Sequence, residues 1–349
     1  MKMTRSAQFA LMAAMLVGAL PAAAQDDPDY IPDEIKAVED DGTRWSPTLK
    51  ASATVSMNHS HNVVGATNGL TFTGGFLLSG GLGYLSTNKQ HEWRNSLNWG
   101  LSYTRTPTVP KFSKSFDSLD FETLYLWHTP RAPWFGPFVG FELKSAVLPG
   151  YYVTPADVTA SLTDVDGTTS TETIAALDSI DLTNTFAPLT LRESLGAFAV
   201  PVEKPEIRLE IRAGLGAMEA FVQKGYIIDD NADTPELELI QMQDTAQLGA
   251  EASLAVGGTI KEFMTYGAQA AILQPFVHNA ETDLSGAELL NLDFEVLLGF
   301  KLTEWASLDY QFKAFRTPLV YDGWQVTNGL LLTFTANVVK PKPVATEEG

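Results

Sequence analysis

His59, His61, His91, His128 and His278 are the side chains of this chain whose ordinary titration lies near neutral pH, so their surroundings decide what acid–base chemistry is open to it. Four of them fall in or beside connections between periodic segments; His128 sits at a segment end, next to Thr129. Nucleophilic catalysis needs a Ser or Thr beside an imidazole that a further polar group orients. No G-x-S-x-G is present, and no Ser can be assigned to a neighbouring segment two positions from His128. The expectation is therefore a protein that is not an enzyme. His59-Ser60-His61 offers two imidazoles, too few for a metal site. Asp164-Val165-Asp166-Gly167 and Asp229-Asp230-Asn231-Ala232-Asp233 look like pieces of calcium loops. Both lack the closing Glu, and the second lacks the central Gly. With no cysteine for thiolate sites or disulfides, no metal and no cofactor is expected.

The remaining charged residues are more orderly. At every second position of the periodic segments stand Lys50, Arg94, Asp120, Glu122, Glu142, Lys144, Arg192, Arg208, Glu210 and Arg212. Glu251, Asp293, Glu295, Lys301, Asp309 and Lys313 continue the series. The two signs are nearly balanced. A charge buried without a partner costs several kcal/mol, so these groups must pair or touch water. Two roles are open: a cross-strand salt-bridge lattice, or the selective lining of a solute path. Unpaired acid concentrates elsewhere, as in Asp164 and Asp166 of the long connection 150–186 and in Asp229, Asp230 and Asp233.

The elements that must position these charges are strands. Trp93, Asn95, Leu97, Trp99, Leu101 and Tyr103 interleave with Arg94, Ser96, Asn98, Gly100, Ser102 and Thr104. A period of two puts one set on each face of a strand. The same alternation predicts strands over 46–58, 70–86, 92–105, 116–128, 134–148, 187–200, 206–222, 237–256, 262–274, 288–301, 304–315 and 325–339. In 287–302, Asn291, Asp293 and Glu295 recur at every second residue; a helix would scatter them, whereas a strand gathers them on one face. Short connections at 87–91, 129–133, 202–204, 257–261 and around Thr303 alternate with long ones at 59–69, 106–115, 150–186, 223–236, 275–286 and 316–324.

A soluble β-sandwich shows the same alternation, with its apolar face inward. The loop asymmetry and two aromatic bands favour a membrane barrel instead. Tyr84, Trp93, Trp127, Trp134, Phe300 and Trp305 lie near short connections; Tyr103, Phe116, Tyr151, Tyr152, Phe276 and Trp324 lie near long ones. The expected fold is all-β, a single antiparallel transmembrane barrel of about 12 strands at 46–339, with short periplasmic turns and long external loops. Such a barrel is intermediate in width between filled eight-stranded barrels and wide porins, so a narrow lumen is expected. The 150–186 loop could fold inward, cover the external mouth or extend into solvent.

The N-terminus carries an export signal: Lys2 and Arg5, then an apolar run, then Ala22-Ala23-Ala24, predicting a signal peptide over 1–24 cut between Ala24 and Gln25. Residues 25–45 form an acidic flexible lead-in, and 340–349 a tail beyond the last strand. The full chain has 349 residues and a formal net charge of −19, and removal of the signal makes it more negative still. That balance argues against nucleic acid as a partner. Many barrels end on an aromatic residue read during assembly; here Phe334, inside the last strand, is the candidate for that role.

At Trp93-x-Asn95-x-Leu97-x-x-Gly100, followed by Lys114-Ser115-x-Asp117-x-Leu119, the chain resembles a family of uncharacterised bacterial outer-membrane β-barrel proteins. The matching stretch covers about residues 85–150. The resemblance implies a Gram-negative outer membrane and, as partners, outer-membrane lipids, the barrel-assembly machinery and periplasmic chaperones. It assigns no catalytic or binding residue. The function expected is a narrow channel or conduit for small solutes or lipid-like molecules, with a non-transporting structural or surface-interaction barrel as the alternative and a membrane-embedded lipid hydrolase third.

Overall fold

The computed structural model describes residues 45–60, 69–229, 234–261, 263–280 and 282–339. The cleavage point at Ala24 and Gln25, the lead-in to residue 44, His61, Asp230, Asp233 and the 340–349 tail lie outside these residues. The strands in chain order are β1 (Trp45–Ser60), β2 (Gly69–Leu85), β3 (His91–Arg105), β4 (Ser113–Trp127), β5 (Phe135–Ser145), β6 (Gly150–Val153), β7 (Val158–Thr163), β8 (Thr169–Ile174) and β9 (Ser179–Thr183). They continue with β10 (Leu189–Lys204), β11 (Ile207–Phe221), β12 (Tyr226–Ile228), β13 (Leu237–Gln241), β14 (Thr245–Ile260), β15 (Met264–His278), β16 (Asn291–Thr303), β17 (Ala306–Thr317) and β18 (Tyr321–Val339).

Twelve of these close into one antiparallel barrel in the order β1-β18-β17-β16-β15-β14-β11-β10-β5-β4-β3-β2. Closure is made by β1 and β18, with Ser52 opposite Thr335 and their hydroxyls 2.9 Å apart. Sequential neighbours pair throughout, so no edge is left on the barrel.

Alternation sets the two faces as the period of two requires. Val55, Met57, Phe76, Leu97, Val139, Leu195, Leu215, Leu254, Ile272, Val326 and Leu330 are exposed on the outer wall. Outside in contact with water, this much apolar surface would be an aggregation hazard; against hydrocarbon it is the stable arrangement. Aromatic side chains gather at the short-turn end, where Trp45 lies 4.9 Å from Tyr84 and 6.1 Å from Trp93 between ring centroids, with Trp127 and Trp134 exposed beside them. Phe116, Phe276 and Trp324 are exposed toward the long-loop end. Tyr151 and Tyr152 belong to β6, outside the barrel wall.

The structure corrects several boundaries. The segment 237–256 is two strands, because the chain turns at 242–244: Asp244 accepts the Val222 N–H at 2.7 Å and the Met242 N–H bonds the Gly225 carbonyl at 2.8 Å. Residues 202–204 and 257–260 are paired strand rather than turn, with Glu203 opposite Arg208 and Gly258 opposite Tyr266. The connection 316–324 shrinks to 318–320, closed by the Val320 N–H on the Thr317 carbonyl at 2.9 Å. Pro318 sits in this tight turn and Gly323 near the start of β18. His59 and Ser60 end β1 and do not stand in a loop.

The connection 150–186 is folded. It forms β6 to β9, and β7 pairs in parallel with β13 of the next long connection, giving a four-stranded sheet β12-β13-β7-β8 beside the β6-β9 pair. Ala160, Ile174, Ile180 and Leu239 are its buried core, backed by Tyr152, Val158, Leu162 and Tyr226. The sheet is held to the long-loop end of the barrel at two points. Lys111, before β4, donates to the Leu177 carbonyl, and Tyr321, at the start of β18, donates to Asp229 at 3.0 Å. The loop is thus a folded sheet tied to the barrel rim and not a structureless connection.

Candidate functional site, the charged barrel interior

The interior-facing candidates converge on one side of the lumen. Arg94 on β3 reaches across β4, β5 and β10 to Glu210 on β11, with Nη1 3.0 Å from Oε2, and its Nε donates to Glu92 at 2.7 Å. Glu210 is also 3.1 Å from Arg208 and 3.6 Å from Arg212. Arg208 continues to Glu203, and Arg212 to Glu122 on β4 at 3.8 Å. Glu92 accepts from His128 at 2.8 Å. Arg94, Arg208 and Glu210 are all buried. Groups so enclosed carry a large desolvation cost, which the pairing of opposite charges offsets in part, since Arg208 Nε and Glu210 Oε1 are buried without a hydrogen-bond partner.

Beside the chord, β10 and β11 approach closely. A Cβ on Gly196 would sit 2.1 Å from the Ala213 carbonyl oxygen, and one on Gly214 2.0 Å from that of Leu195. Only glycine fits at these directly paired positions, where one backbone meets the other. Against the chord pack Leu124, Leu126, Phe138, Phe198 and Val200, all interior-facing and at most 5% exposed. The interior is thus not uniformly polar, as the alternating charges suggest; near the short turns, one side of the lumen is a packed apolar core.

Farther along the lumen the charges pair more loosely. Arg192 lies 3.3 Å from Glu251, Lys144 contacts Glu142, and Lys144 comes within 4.0 Å of Asp293 on β16. A cavity of about 40 Å³, partly open to solvent, is lined here by Glu122, Glu142, Arg192, Arg212, Glu251 and Gln269. Glu295 stands opposite Lys313 and accepts from Gln311 at 3.2 Å. Asp120 accepts from Ser118 at 2.7 Å, and Asp309 accepts from Ser307 at 2.8 Å on the far side of the barrel. Lys50 and Lys301 take interior register positions on β1 and β16, away from the main chord.

Three members of the chord, Glu92, His128 and Glu203, are absent from the alternating series read in the sequence. The available signal was parity: Glu92 stands two residues before Arg94 on the same face. Burial pushes the His128 imidazole toward neutrality, but the hydrogen bonds it donates to the Glu92 carboxylate and the Pro133 carbonyl outweigh it, and its pKa is raised.

The paired motif acquires a physical meaning. Trp93 donates to the Thr123 hydroxyl at 2.6 Å, Thr123 donates to Asn95 at 2.8 Å, and Asn95 donates to the Leu82 carbonyl at 2.9 Å. Polar groups on the outer wall are thereby satisfied without water. Lys114 lies 3.2 Å from Asp117, which also accepts the Leu148 N–H at 2.7 Å and the Trp99 indole at 3.4 Å. The K-S-x-D stretch ties the long-loop end of the wall to the start of the connection between β5 and β10.

Of the external acids, Asp164 accepts from Tyr226 at 2.6 Å, which raises the phenol pKa. Asp166 accepts the Thr168 N–H at 2.9 Å, which holds its carboxyl below the usual range. Asp229 takes the Tyr321 hydroxyl. Among the described residues no cluster of three His, Asp or Glu has metal-binding geometry.

Fold and interior together define a class: a closed twelve-stranded antiparallel β-barrel with an apolar outer wall and a charged lumen. Neither a protein-family model nor a characterised protein matches the chain in sequence. Solved structures are similar to it in fold. The translocator domain of the autotransporter NalP from Neisseria meningitidis is 9% identical, with 94% of this chain and 96% of that one covered and a TM-score of 0.35. An outer membrane channel from Pseudomonas putida F1 is 9% identical over 89% and 99%, at a TM-score of 0.37. The β domain of the Bordetella autotransporter BrkA is 10% identical over 84% and 99%, at 0.33.

Proposed function

We propose that the chain is a Gram-negative outer-membrane barrel that acts as a narrow conduit for small solutes. The observation that carries this reading is the division of the interior. The wall from β3 to β11 is closed by the Arg94–Glu210 chord and its apolar packing, while the interior positions from Thr48 to Thr54 on β1 and from Thr73 to Leu85 on β2 stay in contact with solvent. The apolar exterior with aromatic ends supports placement in a bilayer, and short turns at the end where β1 begins and β18 finishes support a periplasmic orientation for that end. Assembly would engage periplasmic chaperones and the barrel-assembly machinery, as for any such barrel. A second reading, a non-transporting barrel that displays the external sheet, is favoured by the folded sheet tied to the barrel rim.

Solute entry into vesicles tests the proposal. Refolded barrel, identified by its heat-dependent mobility on a gel, is reconstituted into liposomes and challenged with isosmotic glycerol. Swelling faster than in protein-free vesicles is the expected result; identical rates would favour the non-transporting reading.

A further inference from the structure

Two walls of the lumen differ in kind. On the β3 to β11 side the charges of the chord are ion-paired, Asp120 is held by the Ser118 hydroxyl, and the short-turn half is packed: Leu124, Leu126, Phe198 and Glu210 are at most 1% exposed. On β1 and β2 the interior positions from Thr48 to Thr54 and from Thr73 to Leu85 remain half-buried, which inside a closed barrel means contact with lumen water, while Ser46 at the short-turn end is buried. These positions carry Thr48, Ser52, Thr54, Thr73 and Ser79 among glycines, with Leu77 and Leu85 the apolar members, and Lys50 is the single ionisable side chain there. The cavity of about 40 Å³ on the opposite side is no through-path, since the Arg94–Glu210 chord and the apolar cluster lie between it and the short-turn end.

We infer that the path runs off-axis along the β1–β2 wall and favours small uncharged polyhydroxylated solutes over ions of similar size. The inference rests on the conduit reading. An ion entering a narrow passage loses hydration and needs a counter-charge, but the charges on the far wall already neutralise one another. A hydroxyl both donates and accepts, so a wall of Ser and Thr can replace the hydration of a polyol at either kind of position.

The chain has no cysteine, so single-cysteine variants report one position each. Liposomes containing the full barrel are tested with isosmotic xylitol and with sodium gluconate. Ser52→Cys and Ser79→Cys are then treated with a bulky cationic methanethiosulfonate. Ala255→Cys, interior-facing on β14 but 2% exposed, serves as the comparison. The expected outcome is xylitol entry faster than gluconate by about tenfold, and loss of most xylitol entry after modification at Ser52 or Ser79 but not at Ala255. Swelling that favours gluconate, or that survives modification at both β1–β2 positions, overturns the off-axis polyol path while leaving the conduit intact. No swelling in either solute overturns the conduit itself.

Discussion

Replacing Arg94 with methionine removes the cation that joins β3 to β11 and leaves two carboxylates in a buried site. Arg94 is 6% exposed and contacts Glu92 at 2.7 Å and Glu210 at 3.0 Å. Deleting one partner of a buried pair costs ~3–5 kcal/mol, because the remaining charge stays desolvated. Here Glu92 keeps His128 at 2.8 Å, and Glu210 keeps Arg208 at 3.1 Å and Arg212 at 3.6 Å. The loss should therefore fall near the low end, about 3 kcal/mol. Methionine is flexible enough to fill most of the volume, so the cavity contribution is small. Adding Glu210→Gln rebalances the site, and the double variant should be more stable than the sum of the single changes by about 1–3 kcal/mol. Urea unfolding in lipid vesicles, followed by tryptophan fluorescence, measures each value. A loss for Arg94→Met below about 1 kcal/mol, as for an exposed pair, together with strict additivity, would refute the buried chord.

Because the His128 pKa is raised in the fold, its contribution is present at low pH and lost as pH rises through that raised value. Wild-type stability should therefore decline as pH rises above the ordinary imidazole value of about 6.5, and His128→Ala should flatten the decline in the same urea assay. Asp117→Asn weakens the contacts with Lys114, the Leu148 N–H and the Trp99 indole; hydrogen bonds to a charged group are worth ~1.5–3 kcal/mol, so a loss of about 2 kcal/mol is expected, with faster proteolysis of 146–188. The acidic external sheet should give mild cation preference that fades as salt rises, since the Debye length is about 8–10 Å in physiological salt. Reversal potentials in a KCl gradient measure it, and neutralising Asp166 and Asp229 should reduce it; anion preference at low salt would mean that Arg192 and Arg212 control the passage.

The twelve strands were legible because alternation is a local signal and each barrel strand alternates over its length, as Trp93 to Tyr103 shows. The interior charges were legible for the same reason: parity fixes the face. Which charges meet was not, since Arg94 and Glu210 lie 116 residues apart in the chain and join only because the wall of β3, β4, β5, β10 and β11 curves into a closed barrel. Leu124 and Phe198 face inward by parity, yet nothing local distinguishes an apolar residue that packs a lumen from one that faces lipid. The external sheet was hidden more deeply. β7 and β13 pair in parallel across two separate loops, and the Thr- and Asp-rich composition of 150–186 matches an unstructured connection as well as a polar sheet.

Single-channel recording in planar bilayers tests the central claim most directly, that one side of a charged, closed barrel leaves a continuous water path. Heat-modifiable, fully folded protein should give discrete conductance steps across a range of salts and voltages, and modification of Ser79→Cys should shrink them. Folded protein that inserts but shows no steps under any of these conditions would contradict the account and leave a barrel whose interior serves only to hold its walls together.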